Sequence, residues 1–267
     1  MSTDSSPADT ARVDVAAVDA SVREMDLRIP FEYGVTTLRT VPHAVLRVEL
    51  ADGTVGMSAC NLAPKWFAKD ESETVAEDLA ALKSVVLAAG EGATELDPEP
   101  SVFAFWRRLA DRQAAWARDD HPALRWHMGV ALVERATIDA VCRRAGTTLH
   151  DAIRSGLLGI DLGELYDPLS GTEPEALLPA GRKRSIRVRH TVGAADPLTP
   201  AEISDPVDDD LPHALSECVD RYDLTHFKLK VEGTPEEDAD RLRAIASVIE
   251  GRVADPVVTL DANEGYG

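Results

Sequence analysis

His226-Phe227-Lys228-Leu229-Lys230-Val231 and, one helix further on, Val257-Val258-Thr259-Leu260-Asp261-Ala262-Asn263 decide how this chain is read. Both segments alternate, and successive side chains of a strand point to opposite faces. Phe227, Leu229 and Val231 therefore share one face of the first segment, and Lys228 and Lys230 take the other. In the second, Val258, Leu260 and Ala262 lie opposite Thr259, Asp261 and Asn263. Pro235 to Glu250 runs between them with helix punctuation: Thr234 as N-cap, Pro235 first, Glu237 third and Gly251 past the end. Its apolar face is Leu242, Ile245, Ala246 and Ile249. Strand, helix and strand of these lengths make a βα unit on a parallel sheet. In a barrel of such units the apolar faces pack on helices and the other faces line the interior. The site then lies at the C-terminal strand ends.

Two amines, a carboxylate and a carboxamide thereby meet at the ends of neighbouring strands. Charges facing a barrel interior are costly unless paired or functional. A Lys-x-Lys on a solvated face would not ordinarily be flanked by Phe, Leu and Val. The set suits removal of a proton next to a carboxylate. Such carbon acids are very weak, so the enolate needs charge stabilisation, which a divalent cation supplies best. Asp261 offers a hard oxygen suited to Mg²⁺. Two adjacent lysines repel each other's charge, which lowers the pKa of one and leaves a neutral amine as base. One Asp is not a complete magnesium site, and a structural Lys–Asp pair is the other reading of the same residues.

Upstream, residues 1 to 23 are rich in Ser, Asp, Ala and Thr and read as a mobile tail. Met25 to Pro30 reads as a strand and Phe31 to Thr40 as a loop. Ala44 to Leu50 and Val55 to Cys60 form a hairpin about Asp52-Gly53. Four helices are expected next. The first is capped by Asp70 with Glu73 and carries Val75, Leu79, Leu82 and Val86; the second starts near Ser101 and aligns Val102, Phe105, Trp106, Leu109 and Trp116. The third runs from about Leu124 to Arg144 before Gly146, and the fourth covers His150 to Arg154. Beyond a Pro- and Gly-rich loop, Ser185 to His190 reads as a strand, followed by an acidic loop and a helix from Leu211 to Arg221. The expected division is a tail (1–23), an α+β domain (24–180) and a βα region (181–267).

The 267 residues carry 47 acidic and 28 basic side chains, a net charge of −19, which argues against a nucleic-acid groove. Mean hydropathy is −0.16 and no apolar run reaches about 18 residues, so neither a disordered chain nor a membrane span is expected. Met1 to Arg12 has no basic start followed by an apolar stretch, against a secretory signal. Cys60, Cys142 and Cys218 are far apart, as reduced thiols of a cytoplasmic protein would be.

The chain resembles the enolase superfamily, on its mandelate racemase and muconate-lactonizing-enzyme side. The resemblance rests on Phe-Lys-Leu-Lys-Val at 227–231 and Leu-Asp-Ala-Asn-Glu-Gly-Tyr at 260–266. The hairpin Leu46 to Gly56 and the helix from Val133 to Ala140 add to it. Lys-x-Lys alone is weak; followed 31 residues later by the Asp261-x-Asn263 pattern it is far more specific. The resemblance implies an α/β protein, with an α+β capping domain followed by the first part of a modified (β/α) TIM-type barrel. It implies Mg²⁺-dependent abstraction of a proton alpha to a substrate carboxylate through an enediolate, by a racemase, epimerase, dehydratase or cycloisomerase. Lys230 would be the base, Lys228 would tune it and contact the carboxylate, Asp261 would ligate the metal, and Asn263 would neighbour the substrate. Tyr33, on the loop expected to cover the site, would be a specificity contact or a packing residue. A small-molecule carboxylate partner, no nucleic acid or membrane partner, and a homo-oligomer are expected.

Two departures follow. Many relatives carry Gly-x-Gly-Glu after the hairpin, where this chain has Gly56-Met57-Ser58-Ala59-Cys60. The family's other metal-binding acids and its partner acid/base belong to later strands, so the sequence reads as the N-terminal part of the enzyme. Such a truncated chain is expected to expose a sheet edge and an apolar face, to bind Mg²⁺ poorly and to lack turnover. A non-catalytic relative serving as a subunit or interaction module is the alternative.

Overall fold

The structure, a computed structural model, describes residues 11–33, 36–68, 72–179 and 181–263, and the side chains of 31–33, 36 and 37 are outside that description. The chain divides into two compact units, one of Met1–Met25 with Val41–Arg182 and one of Asp26–Thr40 with Lys183–Gly267. The expected boundary after residue 180 omitted the early segment 26–40, which is contiguous in sequence with the first unit but belongs to the second.

Strands β1 (Val15–Tyr33), β2 (Thr36–Leu50) and β3 (Val55–Asn61) form a sheet in that order. β2 and β3 pair antiparallel with Val45 opposite Ala59 and Val48 opposite Gly56. The turn between them uses Gly53 at φ +84°, a left-handed conformation that favours glycine. Two expectations fail here. The tail ends early: Val13 bridges to Glu99, β1 starts at Val15, and both valines are buried. Its Ser and Ala residues are small enough for a half-exposed strand, so composition misread it. The loop expected at 31–40 is strand through Tyr33 and again from Thr36.

Helices α1 (Val75–Thr94), α2 (Val102–Ala117), α3 (Ala123–Ala145) and α4 (Leu149–Arg154) complete the first unit. Thr74 and Glu77 cap α1 reciprocally, Thr74 Oγ1 accepting from Glu77 N and Glu77 accepting from Thr74 N. The expected capping residue Asp70 lies outside the described residues. Val75 is exposed because it is the first residue of the helix, while Leu82, Val85, Val86 and Ala89 carry the buried face. In α2, Val102, Phe105 and Leu109 are buried as the pattern requires, but Gln113 follows them inward. Its side chain donates to Val85 O at 2.9 Å. Trp116 instead sits at the rim, stacked on His121 with centroids 5.1 Å apart.

Two close approaches set how α3 packs. A Cβ on Gly56 would fall 2.0 Å from Ala136 O, so β3 meets α3 backbone to backbone. Arg125, 2% exposed, donates to the wholly buried Asp78 at 2.9 Å and to Glu73 at 3.1 Å. These charged contacts join α3 to the start of α1.

The second unit holds β4 (Arg189–Val192), α5 (Leu215–Tyr222), β5 (His226–Lys230), α6 (Pro235–Glu250) and β6 (Val257–Asp261). The strands are parallel in the order β4-β5-β6. Val192, Leu215, Val219, Phe227, Leu229, Ile245 and Ile249 form its core. The limits of α6 and the start of β5 match the sequence pattern. β4 lies later than expected, because Ile186 and Val188 are exposed and only Arg189 onward finds a partner strand. α5 starts at Leu215 rather than Leu211, after a loop that passes Pro212. Thr234 makes no side-chain cap on α6; the Asp238 carboxylate accepts from Glu232 N and Gly233 N instead. On β6, Val258 and Leu260 face the same way as Leu229 but remain about half exposed, at 46% and 55%.

Candidate active site

The parallel register decides which side chains meet. Lys228 pairs with Thr259 and Lys230 with Asp261, while Thr191 of β4 pairs with Lys228. Paired residues in a parallel ladder point to the same face. Lys228, Lys230, Thr191, Thr259 and Asp261 therefore share one face of the sheet, opposite the face occupied by Phe227 and Leu229. Thr191 was missed by the sequence reading, since His190-Thr191 has no pattern until the register with β5 is known.

Asp261 is the hub. Its Oδ2 accepts from Lys228 Nζ at 2.7 Å and from Lys230 Nζ at 2.8 Å. Lys230 Nζ also donates to Asn263 Oδ1. Asn263 N in turn donates to Asp261 Oδ1 at 3.2 Å, with Asn263 in a left-handed backbone conformation at φ +47°. Asn tolerates that conformation because its short amide bonds locally. The turn folds the carboxamide back over the strand end and brings it to the lysine.

Burial grades across the group. The side chain of Lys230 is 8% exposed, Lys228 22% and Asp261 27%, so the site opens toward the carboxylate. Hydrogen bonds from Lys228 and then Lys230 hold the Asp261 carboxyl well below the usual carboxylate range, against a smaller opposing effect of burial. Asp261 is thus an anionic oxygen donor at any physiological pH. Of the five residues singled out from sequence, Lys228, Lys230, Asp261 and Asn263 come together. Tyr33 lies at the end of β1, its side chain outside the described residues.

Asp261 fits a magnesium ligand in type, as a hard anionic oxygen. Among the described residues no group of three His, Cys, Asp or Glu is placed to hold a metal ion. No helix among the described residues is long and apolar enough to cross a membrane.

No family model matches the chain, and no curated protein matches it. Solved structures do. It is similar to a mandelate racemase/muconate lactonizing protein from Herpetosiphon aurantiacus at 20% identity and TM-score 0.59, covering 95% of this chain and 54% of that one. It is similar to a dipeptide epimerase from Methylococcus capsulatus complexed with Mg and the dipeptide L-Arg-D-Lys, at 19% identity and TM-score 0.57, covering 95% and 55%. A third likeness is to an enolase from Bradyrhizobium complexed with magnesium and mandelic acid, at 16% identity and TM-score 0.54, covering 96% and 55%. The chain therefore has the fold of the enolase superfamily. The likeness is one of fold, and the chain spans about half the length of the solved structures it matches.

Proposed function

We propose that this chain supplies the base and one metal ligand of an enzyme that removes a proton alpha to a substrate carboxylate. The outcome is a racemisation, epimerisation, dehydration or cycloisomerisation. One observation carries the reading: Lys228, Lys230, Asp261 and Asn263 converge on one face at the C-terminal ends of two adjacent parallel strands. Solved relatives of this fold hold magnesium with a dipeptide or mandelic acid, which supports both the cofactor and a small carboxylate-bearing substrate.

Lys230 is the base. It is the more buried amine, and Asn263 and Asp261 fix the direction of its Nζ. A base held in one direction on a rigid strand meets the geometric demand of proton transfer better than one on a loop. Lys228, nearer the solvent, is placed to meet a substrate carboxylate and orient it. Proton removal leaves an enediolate, two negative oxygens that a hydrocarbon-lined site would disfavour. Mg²⁺, with Asp261 as one ligand, offsets that charge when bound. Asn263 provides a carboxamide to position the substrate.

The test is exchange of a substrate's α-hydrogen with solvent D₂O by the full-length protein, across a panel of α-substituted carboxylates and dipeptides. Mg²⁺-dependent exchange that disappears in Lys230→Ala supports the proposal. Exchange that survives Lys230→Ala places the base elsewhere, and its absence across the panel favours a non-catalytic subunit.

A further inference from the structure

The densest run of positive charge in this acidic chain is Arg182-Lys183-Arg184, followed by Arg187 and Arg189. It falls where the chain passes from the first compact unit, which ends at Arg182, to the second, which resumes at Lys183. Residues 182–188 lie outside every helix and strand, and all of them are exposed. Ile186 and Val188 are 83% and 68% exposed, so apolar burial does not anchor the segment. Among the described residues no backbone hydrogen bond holds residues 182–187. Arg182 meets Asp151 at 3.6 Å, whereas Lys183, Arg184 and Arg187 make no ion pair among the described residues.

Burial and backbone hydrogen bonding decide where a native chain can be cut, since a protease cleft must draw several residues of its substrate into an extended strand. Other basic positions outside helices and strands are held. Lys65 N donates to Asp78 and its Nζ to Glu73 O. Arg118 N donates to Ala114 O at 3.0 Å, and Asp119 and Asp120 follow it. Arg252 N donates to Ile249 O at 2.9 Å, and its guanidinium meets Asp220 at 3.2 Å. Arg12 precedes Val13, which is buried and bridged to Glu99.

We propose that residues 182–187 form a processing site at which a serine protease specific for Arg and Lys cuts the native chain. Such a protease holds the substrate cation against a carboxylate in its specificity pocket. An exposed run of cations meets that demand at successive registers. Water adds across the bond that follows the bound cation: after Arg184, the new carboxylate stays on Arg184 and the new amine on Ser185. No unfolding precedes the cut. The chain is severed but not parted, since Asp26–Thr40 lies N-terminal to the cut and packs in the second unit with the residues beyond it.

Limited digestion of the full-length protein with trypsin, read by intact-mass measurement and N-terminal sequencing, tests the site. The first new N-termini should be Lys183, Arg184, Ser185 or Val188, and the two fragments should co-elute in native size exclusion. Arg182→Gln, Lys183→Gln, Arg184→Gln and Arg187→Gln together should abolish that first cut. Gly56→Ala, which crowds the backbone contact between β3 and α3, separates native cutting from cutting through unfolding. Proteolysis through an unfolded state follows the population of that state, whereas cutting of a segment already exposed does not. The first cut should therefore proceed at the same rate in Gly56→Ala as in the unaltered protein. A first cut elsewhere, a rate that climbs in Gly56→Ala, a cut that survives the fourfold substitution, or fragments that separate under native conditions would each overturn the proposal. Catalysis enters none of these readouts, so the result is independent of the proposed activity.

Discussion

Lys230 Nζ lies 2.8 Å from Asp261 Oδ2, and the same oxygen accepts from Lys228 at 2.7 Å. One carboxylate thus serves two lysines, and the parallel pairing of residue 230 with residue 261 makes it the direct neighbour of the more buried one. Removing that carboxylate leaves two adjacent amines, one of them 8% exposed, with Asn263 the one remaining side-chain acceptor among the described residues.

Asp261→Ala should therefore lower stability by about 1–3 kcal/mol at pH 7, measured by urea denaturation. The carboxyl is held below its ordinary range in the folded state, so its contribution is complete above that range. The gap between native protein and variant should stay constant from about pH 5 to 8 and shrink only as acid takes the pH below about 4, through the depressed folded value. A gap that narrows between pH 6 and 8 would contradict this assignment.

Divalent-cation removal should abolish α-hydrogen exchange by the full-length protein, and Mg²⁺ should restore it. In Asp261→Asn the Mg²⁺ needed for half-maximal exchange should rise by about tenfold or more, because a neutral amide oxygen is a poorer ligand than a carboxylate. Titration of exchange against Mg²⁺ measures this, and an unchanged midpoint would remove Asp261 from the ligand set.

Arg125→Met should cost about 3–5 kcal/mol, because it leaves the wholly buried Asp78 carboxylate without the guanidinium 2.9 Å away. Arg125→Met with Asp78→Leu should recover part of the loss, since replacing both charges by apolar groups removes the uncompensated one. Thermal unfolding of the two variants side by side decides it.

Gly56→Ala should destabilise by about 2 kcal/mol or more despite adding a single methyl group, because backbone atoms of Ala136 and Ala140 occupy the space at 2.0 and 2.4 Å. A loss below about 0.5 kcal/mol would mean that β3 and α3 can separate freely.

Glu134→Gln should raise the melting temperature at pH 7. Burial pushes the Glu134 carboxyl above its ordinary range, with Arg135 only partly opposing it. A raised folded value means that the charged form destabilises the native state once pH exceeds the unfolded value. The advantage of the glutamine should therefore fade as the pH falls through the carboxylate range, and a melting series from pH 4 to 8 tests both halves.

Much of the fold was legible in the chain because local chemistry agrees with it. Asp52-Gly53 marks the hairpin turn, and Thr234-Pro235 to Gly251 brackets a helix that runs from Pro235 to Glu250. The alternation of 226–231 and 257–263 separates faces before any partner is known. Reading failed where composition stood in for contact. Val13 and Val15 look like part of a polar tail until Glu99 and the first unit's core supply partners, and Ile186 and Val188 look like strand until β5 pairs only from Arg189.

The sequence by itself determined the periodicity that puts Lys228 and Lys230 opposite Phe227 and Leu229, and the helix that returns the chain parallel. Those follow from the two-residue repeat of a strand and the capping chemistry of a helix, both local. Only the tertiary structure decided the register that sets Lys230 beside Asp261, that brings Thr191 onto the same face, and that lets Arg28 reach Asp209 across 181 residues. Register and long-range ion pairs depend on which strands and loops become neighbours. No local pattern encodes that choice, because it is made by the burial of both apolar faces together.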